Sequence, residues 1–179
     1  ARYLYCSCWK CGKHSLTDTL AALLNIRGAA ARGLIARLDR QPYTPPKAIA
    51  GRLAVPAGLG PLLHCHRAYL QGRGFNADTI TKLWDIRGIG LAAELAWRVY
   101  LPIYYRGVVV SWTTRAIGND ERRYISARPE QESVPRNHIL YGADYCRHAV
   151  IVVEGPLDAW AIGPGAVATL GLSYSQQQL

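Results

Sequence analysis

The sequence predicts a fold of mixed α+β and α/β class, and three observations carry that expectation. A fully apolar run at 149–153 ends in Glu154-Gly155, then gives way to a helical pattern and a second apolar run, a β-α-β order. Two segments rich in aromatic and β-branched residues flank Tyr105-Arg106-Gly107, the pattern of an antiparallel hairpin. Cys8-Trp9-Lys10-Cys11-Gly12 sets two thiols at the spacing that grips one tetrahedral zinc from a tight turn.

The elements follow in chain order. Residues 15–26 read as a helix, because Ser15 and Asp18 form a capping arrangement and Leu16, Leu20, Leu23 and Leu24 share one face. Gly28 is expected to end it, with a second, Arg-bearing helix over 29–38. Residues 41–61 contain five prolines and three glycines, which disfavours helix and sheet, so they read as a linker. Helical stretches follow at 62–71 and 77–85, separated by Gly72-Arg73-Gly74, with Asn76 as N-cap of the second. Strands are expected at 98–104, 108–114 and 124–126, the last after a turn at Gly118-Asn119-Asp120. The closing unit is a buried parallel strand at 149–153, a helix at 157–162 and a strand at 167–170.

Basic side chains outnumber acidic ones 21 to 12, a formal net charge of +9 spread along the chain. Such a surface attracts polyanions, of which nucleic acid is the commonest. No run approaches the roughly 18–20 apolar residues of a membrane span, and no secretory leader pattern opens the sequence, so a cytoplasmic location without membrane contact is expected. The 179 residues include no Met, which predicts an internal piece of a larger protein, with a processed product as the alternative.

The clustered cysteines suggest metal rather than disulfides. Cys6, Cys8, Cys11 and His14 together could supply four zinc ligands within nine residues. The more economical alternative is half of a zinc ribbon, with Cys8 and Cys11 as one ligand pair. His64-Cys65-His66 does not read as a metal site, since consecutive helical residues point in different directions. Cys146 and His148 receive the same structural reading. Glu154 is the sharper signal. An acid at the carboxyl end of a parallel strand stands where α/β ligand sites form, Gly155 leaves room beside it, and Asp158 lies one helical turn on. Carboxylates there suit Mg²⁺ or Mn²⁺, which prefer hard oxygen ligands.

Residues 150–158 with Ala166-Val167-Ala168-Thr169-Leu170-Gly171 resemble the first half of a Toprim domain, which DnaG-type primases share with topoisomerases and some nucleases. The segment before it resembles the primases in particular. Tyr69-Leu70-Gln71-Gly72-Arg73-Gly74-Phe75 is similar to a "YL..RG" signature of the primase polymerase core. Arg98-Val99-Tyr100-Leu101-Pro102-Ile103, then Gly107-Val108-Val109-Val110 and Thr114-Arg115, follow the pattern "R..fPi…G.vv.f..R". Arg123-Tyr124-Ile125-Ser126 stands where the family has Lys-Tyr-Leu-Asn, and Leu140-Tyr141-Gly142 matches its "LYG". The matches keep the family's order across residues 62–171. Ser126 replaces the family's Asn, and the second acidic motif of a Toprim domain, DxD, is not among these residues.

The resemblance implies a primase that copies single-stranded DNA into short RNA primers from ribonucleoside triphosphates, in company with a replicative helicase, in a bacterial cell or phage. It implies four regions: 1–40, the C-terminal part of a zinc-binding domain plus helices; 41–61, the linker; 62–148, the N-terminal subdomain of the polymerase core; and 149–179, the first half of a Toprim domain. Glu154 would be the catalytic acid and magnesium ligand, assisted by Asp158. Arg115 and Arg123, with Arg73 and Arg98 behind them, are expected to contact phosphates of nucleotide or template, because a guanidinium fork matches phosphate oxygens. Zn²⁺ would be held through Cys8 and Cys11, and Trp9 would either stack a template base or pack the ribbon. Another Toprim enzyme, or a non-catalytic nucleic-acid-binding module, are the alternatives.

Overall fold

The computed structural model describes residues 5–8, 12–40, 53–147 and 150–178. The chain divides into two compact units, Ala1–Pro45 and Pro46–Leu179.

In the first unit, strands β1 (Tyr5–Cys8) and β2 (Gly12–Ser15) form an antiparallel hairpin, followed by helices α1 (Leu16–Leu24) and α2 (Gly28–Arg40). Ser15 caps α1 as its sequence predicts, its hydroxyl oxygen accepting the Asp18 N–H at 3.0 Å. Two expectations are corrected. Asn25, in the left-handed region at φ 51°, ends α1, and Gly28 instead begins α2. The leucine face of α1 is also incompletely covered, with Leu23 76 % exposed.

The second unit is built on a five-stranded antiparallel sheet in the order β3-β4-β5-β6-β7. Its strands are β3 (Leu59–Gly60), β4 (Arg87–Ile89), β5 (Arg98–Tyr105), β6 (Val108–Ala116) and β7 (Tyr124–Ser126). The β5–β6 hairpin turns on Arg106 and Gly107, at φ 53° and 77°. That pair of left-handed residues matches the twist of the strands, and Gly takes it without steric cost. Asp144 fixes the turn, its carboxylate accepting the Arg106 and Gly107 N–H groups at 3.1 and 2.6 Å. Leu59–Gly60 corrects the expectation of an unstructured linker end, because it pairs with β4. Residues 41–52 of that segment lie outside the described residues.

Helices α3 (His64–Gly72) and α4 (Ala77–Trp84) lie between β3 and β4 in the chain. Asn76 caps α4, its side-chain oxygen accepting the Thr79 N–H at 2.9 Å. A two-stranded parallel sheet, β8 (Ile151–Val153) and β9 (Ala166–Ala168), is bridged by α5 (Pro156–Ile162). The parallel pairing is as expected, the burial of β8 is not. Val150, Ile151 and Val152 are more than half exposed, since β8 has β9 as its one partner strand among the described residues.

One apolar core joins both sheets. It takes Leu70 of α3, Ile80 and Trp84 of α4, Val99, Leu101 and Ile103 of β5, Trp160 of α5, and Ala166 and Ala168 of β9. A smaller core of Ile89, Tyr100, Trp112 and Ala127 lies elsewhere in the unit. Because β5 alternates, its odd-numbered residues reach the first core and Tyr100 the second. Tyr141 is central to the larger core. Its ring stacks on Trp84 at 5.5 Å, its hydroxyl accepts the Trp160 indole N–H at 2.8 Å, and its backbone pairs with Ala168.

His66 ties α3 to β4. Its Nδ1 accepts the Leu63 N–H at 3.0 Å and its Nε2 donates to the Ile89 carbonyl at 3.1 Å, which fixes a neutral ring. Gly88 of β4 runs against this ring, where a Cβ would stand 2.8 Å from His66 Cε1. Burial holds the His66 pKa below its ordinary value of 6.5, against the opposing pull of the Ile89 carbonyl. The unfolded chain therefore binds the proton more readily than the folded one. Its contribution to stability is complete above pH 6.5 and is lost as the pH falls from there toward the folded pKa. Urea unfolding across this range should show a stability decline in the wild type that is smaller in His66→Gln. Parallel declines in the two proteins would contradict the neutral-ring assignment.

Candidate functional site

The second unit brings two sets of polar residues to the surface. The first is acidic. Glu154 directly follows β8 and is exposed, and its carbonyl accepts the Leu170 N–H at 3.1 Å, which fixes its backbone beside the end of β9. Asp158, also exposed, accepts the Gly155 N–H on Oδ2 at 3.2 Å and so caps the start of α5. Its Oδ1 has no hydrogen-bond partner among the described residues. A Cβ at Gly155 would come 3.1 Å from that Oδ2, so the glycine lets the capping carboxylate approach. Both acids therefore stand at the carboxyl edge of the parallel pair, where ligand sites of α/β sheets form.

The second set is a basic cleft of about 680 Å³ whose walls include Tyr69, Arg73, Arg115, Ile117, Asp120 and Arg123. Tyr69 and Arg73 come from the end of α3, Arg115 from β6, and Arg123 from the residue before β7. The β6–β7 register sets Arg115 opposite Tyr124. Arg115 is held from two sides: its Nε donates to the Tyr69 hydroxyl at 3.0 Å, and its guanidinium lies 4.9 Å from the centre of the Tyr124 ring. Arg73 lies 5.2 Å from the Tyr69 ring centre. Cations over aromatic faces are attracted by the ring quadrupole, and both guanidiniums are positioned before any anion arrives.

The Tyr124 hydroxyl responds to charges of both sets. Burial pushes its pKa up, Arg115 pulls it down, and the charge of Asp158 adds to the upward push. The hydroxyl thus lies within electrostatic reach of an arginine of the cleft and of an acid at the start of α5. Tyr69 and Tyr124 were not singled out as site residues from sequence. Their signal was the placement of a tyrosine four residues before Arg73 and another one after Arg123.

Arg98, expected to meet phosphate, occupies a different place. Its side chain is 1 % exposed and forms an ion pair with Asp120, and it also donates to the Arg122 carbonyl at 2.7 Å. From β5 it therefore anchors the 117–123 loop that carries Arg123. Asp120 completes the anchor by accepting the Arg122 N–H at 2.8 Å on Oδ1. That backbone N–H is the main cause holding its carboxyl below the ordinary range, with Arg98 acting in the same direction. Gly118-Asn119-Asp120 predicts a turn, and Asp120 lies in the connection between β6 and β7. Its pairing with a side chain 22 positions earlier had no local signal.

In the first unit, Trp9 and Cys11 lie outside the described residues. The backbone register of β1 and β2 pairs Cys6 with His14 and Cys8 with Gly12. Among the described residues no group of three or more His, Cys, Asp and Glu could hold a metal. His66 is structural, as its sequence context suggested. Cys146 donates from Sγ to the Gly142 carbonyl at 3.5 Å, and burial pushes its thiol pKa up. His148 lies outside the described residues.

The anchor makes a test available. Removing the Asp120 charge leaves Arg98 buried without its counter-ion, which is more costly than removing both partners. Asp120→Asn should lower the melting temperature by several degrees, and Arg98→Met/Asp120→Asn should recover a large part of the loss. Additive losses in the double variant would contradict a coupled pair.

No protein-family model matches the chain, and no curated protein matches it in sequence. Solved structures do. A DnaG catalytic core is 24 % identical with a TM-score of 0.54, covering 66 % of this chain and 51 % of that one. A DnaG primase catalytic domain bound to single-stranded DNA is 23 % identical with a TM-score of 0.53, covering 66 % and 52 %. The zinc-binding and RNA polymerase domains of the Aquifex aeolicus primase are 16 % identical with a TM-score of 0.53, covering 96 % of this chain and 55 % of that one. The chain thus spans about half the length of the structures it matches. No helix among the described residues is long and apolar enough to cross a membrane. The antiparallel sheet with its helices, the small parallel sheet beyond it and these likenesses give the chain the fold of a DnaG-type primase core.

Proposed function

We propose that this chain is part of a DNA primase that makes short RNA primers on single-stranded DNA. The observation that carries the reading is the convergence of Arg73, Arg115 and Arg123 on one cleft, with Arg115 held between Tyr69 and Tyr124. A cleft of aromatic-held guanidiniums suits a polyanionic template and triphosphate, and exposed carboxylates in the same unit suit a cation.

In primer synthesis a 3′-hydroxyl attacks the α-phosphate of a ribonucleoside triphosphate, the bond to the bridging oxygen breaks, and pyrophosphate leaves. Arg73, Arg115 and Arg123 meet the phosphate oxygens, and the fixed orientation of Arg115 and Arg73 lowers the cost of binding. Glu154 and the Oδ1 of Asp158 would hold Mg²⁺ or Mn²⁺, a fit given by two exposed hard-oxygen donors at the start of α5. When bound, such a cation neutralises charge that builds on the phosphoryl oxygens. These residues at 149–179 would form the first part of a Toprim domain, following a polymerase-core subdomain at 62–148. The Cys8–Cys11 spacing and a β1–β2 register that pairs Cys6 with His14 support a zinc-binding head. A replicative helicase partner and the cytoplasm of a bacterial cell, phage-infected or not, complete the proposal.

The test is metal-dependent incorporation of labelled ribonucleotides on a single-stranded template by the full-length protein. Glu154→Gln and Arg115→Ala should each lower the rate by about 100-fold or more. A Glu154→Gln protein that primes at the wild-type rate would overturn the acid assignment. Metal-dependent strand cleavage or relaxation in place of synthesis would assign another enzyme class with the same strand-and-acid arrangement. Binding without any of these reactions would leave a nucleic-acid-binding module, a reading that the use of Asp158 as a helix cap favours.

A further inference from the structure

Trp97 has a placement that the packing of the two cores does not explain. It lies between β4 and β5 with φ 57°, in the left-handed region. A bulky side chain rarely adopts that conformation, which Gly and Asn take with little strain. The backbone is pinned there from both sides. The Trp97 N–H donates to the Gly90 carbonyl at 3.0 Å, and its own carbonyl accepts the Ile117 N–H at 3.2 Å. The next residue is the buried anchor Arg98, so the chain has no slack to relax. Such strain persists only where the surroundings enforce it, and it concentrates at functional positions.

The side chain is only partly buried. Trp97 is 46 % exposed and belongs to neither apolar core. A large aromatic is thus held in a disfavoured backbone state with almost half its surface in water. Gly or Asn would serve a turn that merely needed φ near 57°, and this position carries a half-exposed indole instead.

Its neighbourhood names a ligand. Ile117, bonded to the Trp97 carbonyl, is a wall of the basic cleft, as are Gly118, Arg115 and Arg123. Trp97 is thus a half-exposed aromatic whose backbone is bonded to a wall of a cleft that carries three arginines. Proteins bind single-stranded nucleic acid by cations that meet the phosphates and aromatic rings on which the bases stack. We propose that Trp97 is a base-stacking platform for a single-stranded polynucleotide whose phosphates run along Arg73, Arg115 and Arg123. The proposal rests on the reading of that cleft as a nucleic-acid site and adds the residue that engages a base. A protein partner is the competing occupant, since Leu91 in the same connection is 85 % exposed. The cations of the adjoining cleft favour the polyanion.

Fluorescence anisotropy on the full chain separates these cases with two probes: a short oligothymidylate, and an abasic sugar-phosphate oligomer of equal length. Trp97→Gly should weaken oligothymidylate binding by about 5- to 100-fold, the range for loss of one stacked base. It should leave the abasic oligomer bound as in the wild type, and Trp97→Phe should retain most of the affinity. The melting temperature of Trp97→Gly should be unchanged or higher, because Gly relieves the left-handed strain. Arg115→Ala should weaken both probes. Equal oligothymidylate affinity in wild type and Trp97→Gly, with the Arg115→Ala loss intact, overturns the stacking proposal and leaves the cleft reading standing. Equal loss of both probes in Trp97→Gly also overturns it, by showing a backbone effect. If the wild type binds neither probe, the cleft reading fails and the proposal with it.

Discussion

The second unit depends on the contacts made by Tyr141. Its hydroxyl takes the Trp160 N–H of α5, its ring lies nearly parallel to Trp84 of α4 at 15°, and its backbone N–H and carbonyl both pair with Ala168 of β9 at 2.9 Å. At 2 % exposure these contacts are made away from water, where an indole N–H left without a partner costs about 1–3 kcal/mol. Gly142 is a condition of the arrangement. It lies at φ 85°, and a Cβ there would fall 2.8 Å from the Ala166 carbonyl and 3.0 Å from the Trp84 ring. The Leu140-Tyr141-Gly142 signature thus has a physical content: the ring that stacks, the hydroxyl that accepts, and the residue without a side chain that lets helix and strand close on them.

This contact fixes the relation between the two polar sets. The acids stand on the β8–α5–β9 element, which is joined through Tyr141 and Trp160 to the core beneath β5. The arginines stand on α3, β6 and the 117–123 loop, and α3 enters the same core through Leu70. Side chains already in place lose less freedom on binding, so the proposed phosphate-binding role of the cleft gains from this rigidity. Around the cleft the device repeats at smaller scale. Tyr69 and Tyr124 hold Arg115, and the buried Arg98 holds the loop bearing Arg123.

What the sequence revealed was mostly local. Ser15 and Asn76 announce helix starts because capping acts within one turn. The Tyr105-Arg106-Gly107 turn announces its hairpin, and Glu154-Gly155 the end of a strand, for the same reason. Leu59–Gly60 and Arg87–Ile89 had no such signal, being too short to show alternation and existing by pairing with strands distant in the chain. Arg73, Arg115 and Arg123 could be named from the sequence, but not what holds them. The Tyr69–Arg115 bond joins residues 46 positions apart, and Arg98 differs from the other arginines by burial that its neighbours in sequence do not disclose.

The central claim is that the cleft arginines neutralise phosphates of a single strand, and the salt dependence of binding tests it most directly. Each phosphate contact releases condensed counter-ion, so the slope of log affinity against log salt counts the contacts, with about 0.7 units per phosphate on single strands. Measured on the full chain with single-stranded DNA, Arg115→Ala should make the slope shallower by about that amount. Arg67→Ala, which removes an arginine already paired with Asp78, should leave it unchanged. A slope in Arg115→Ala equal to that of the wild type would contradict the account.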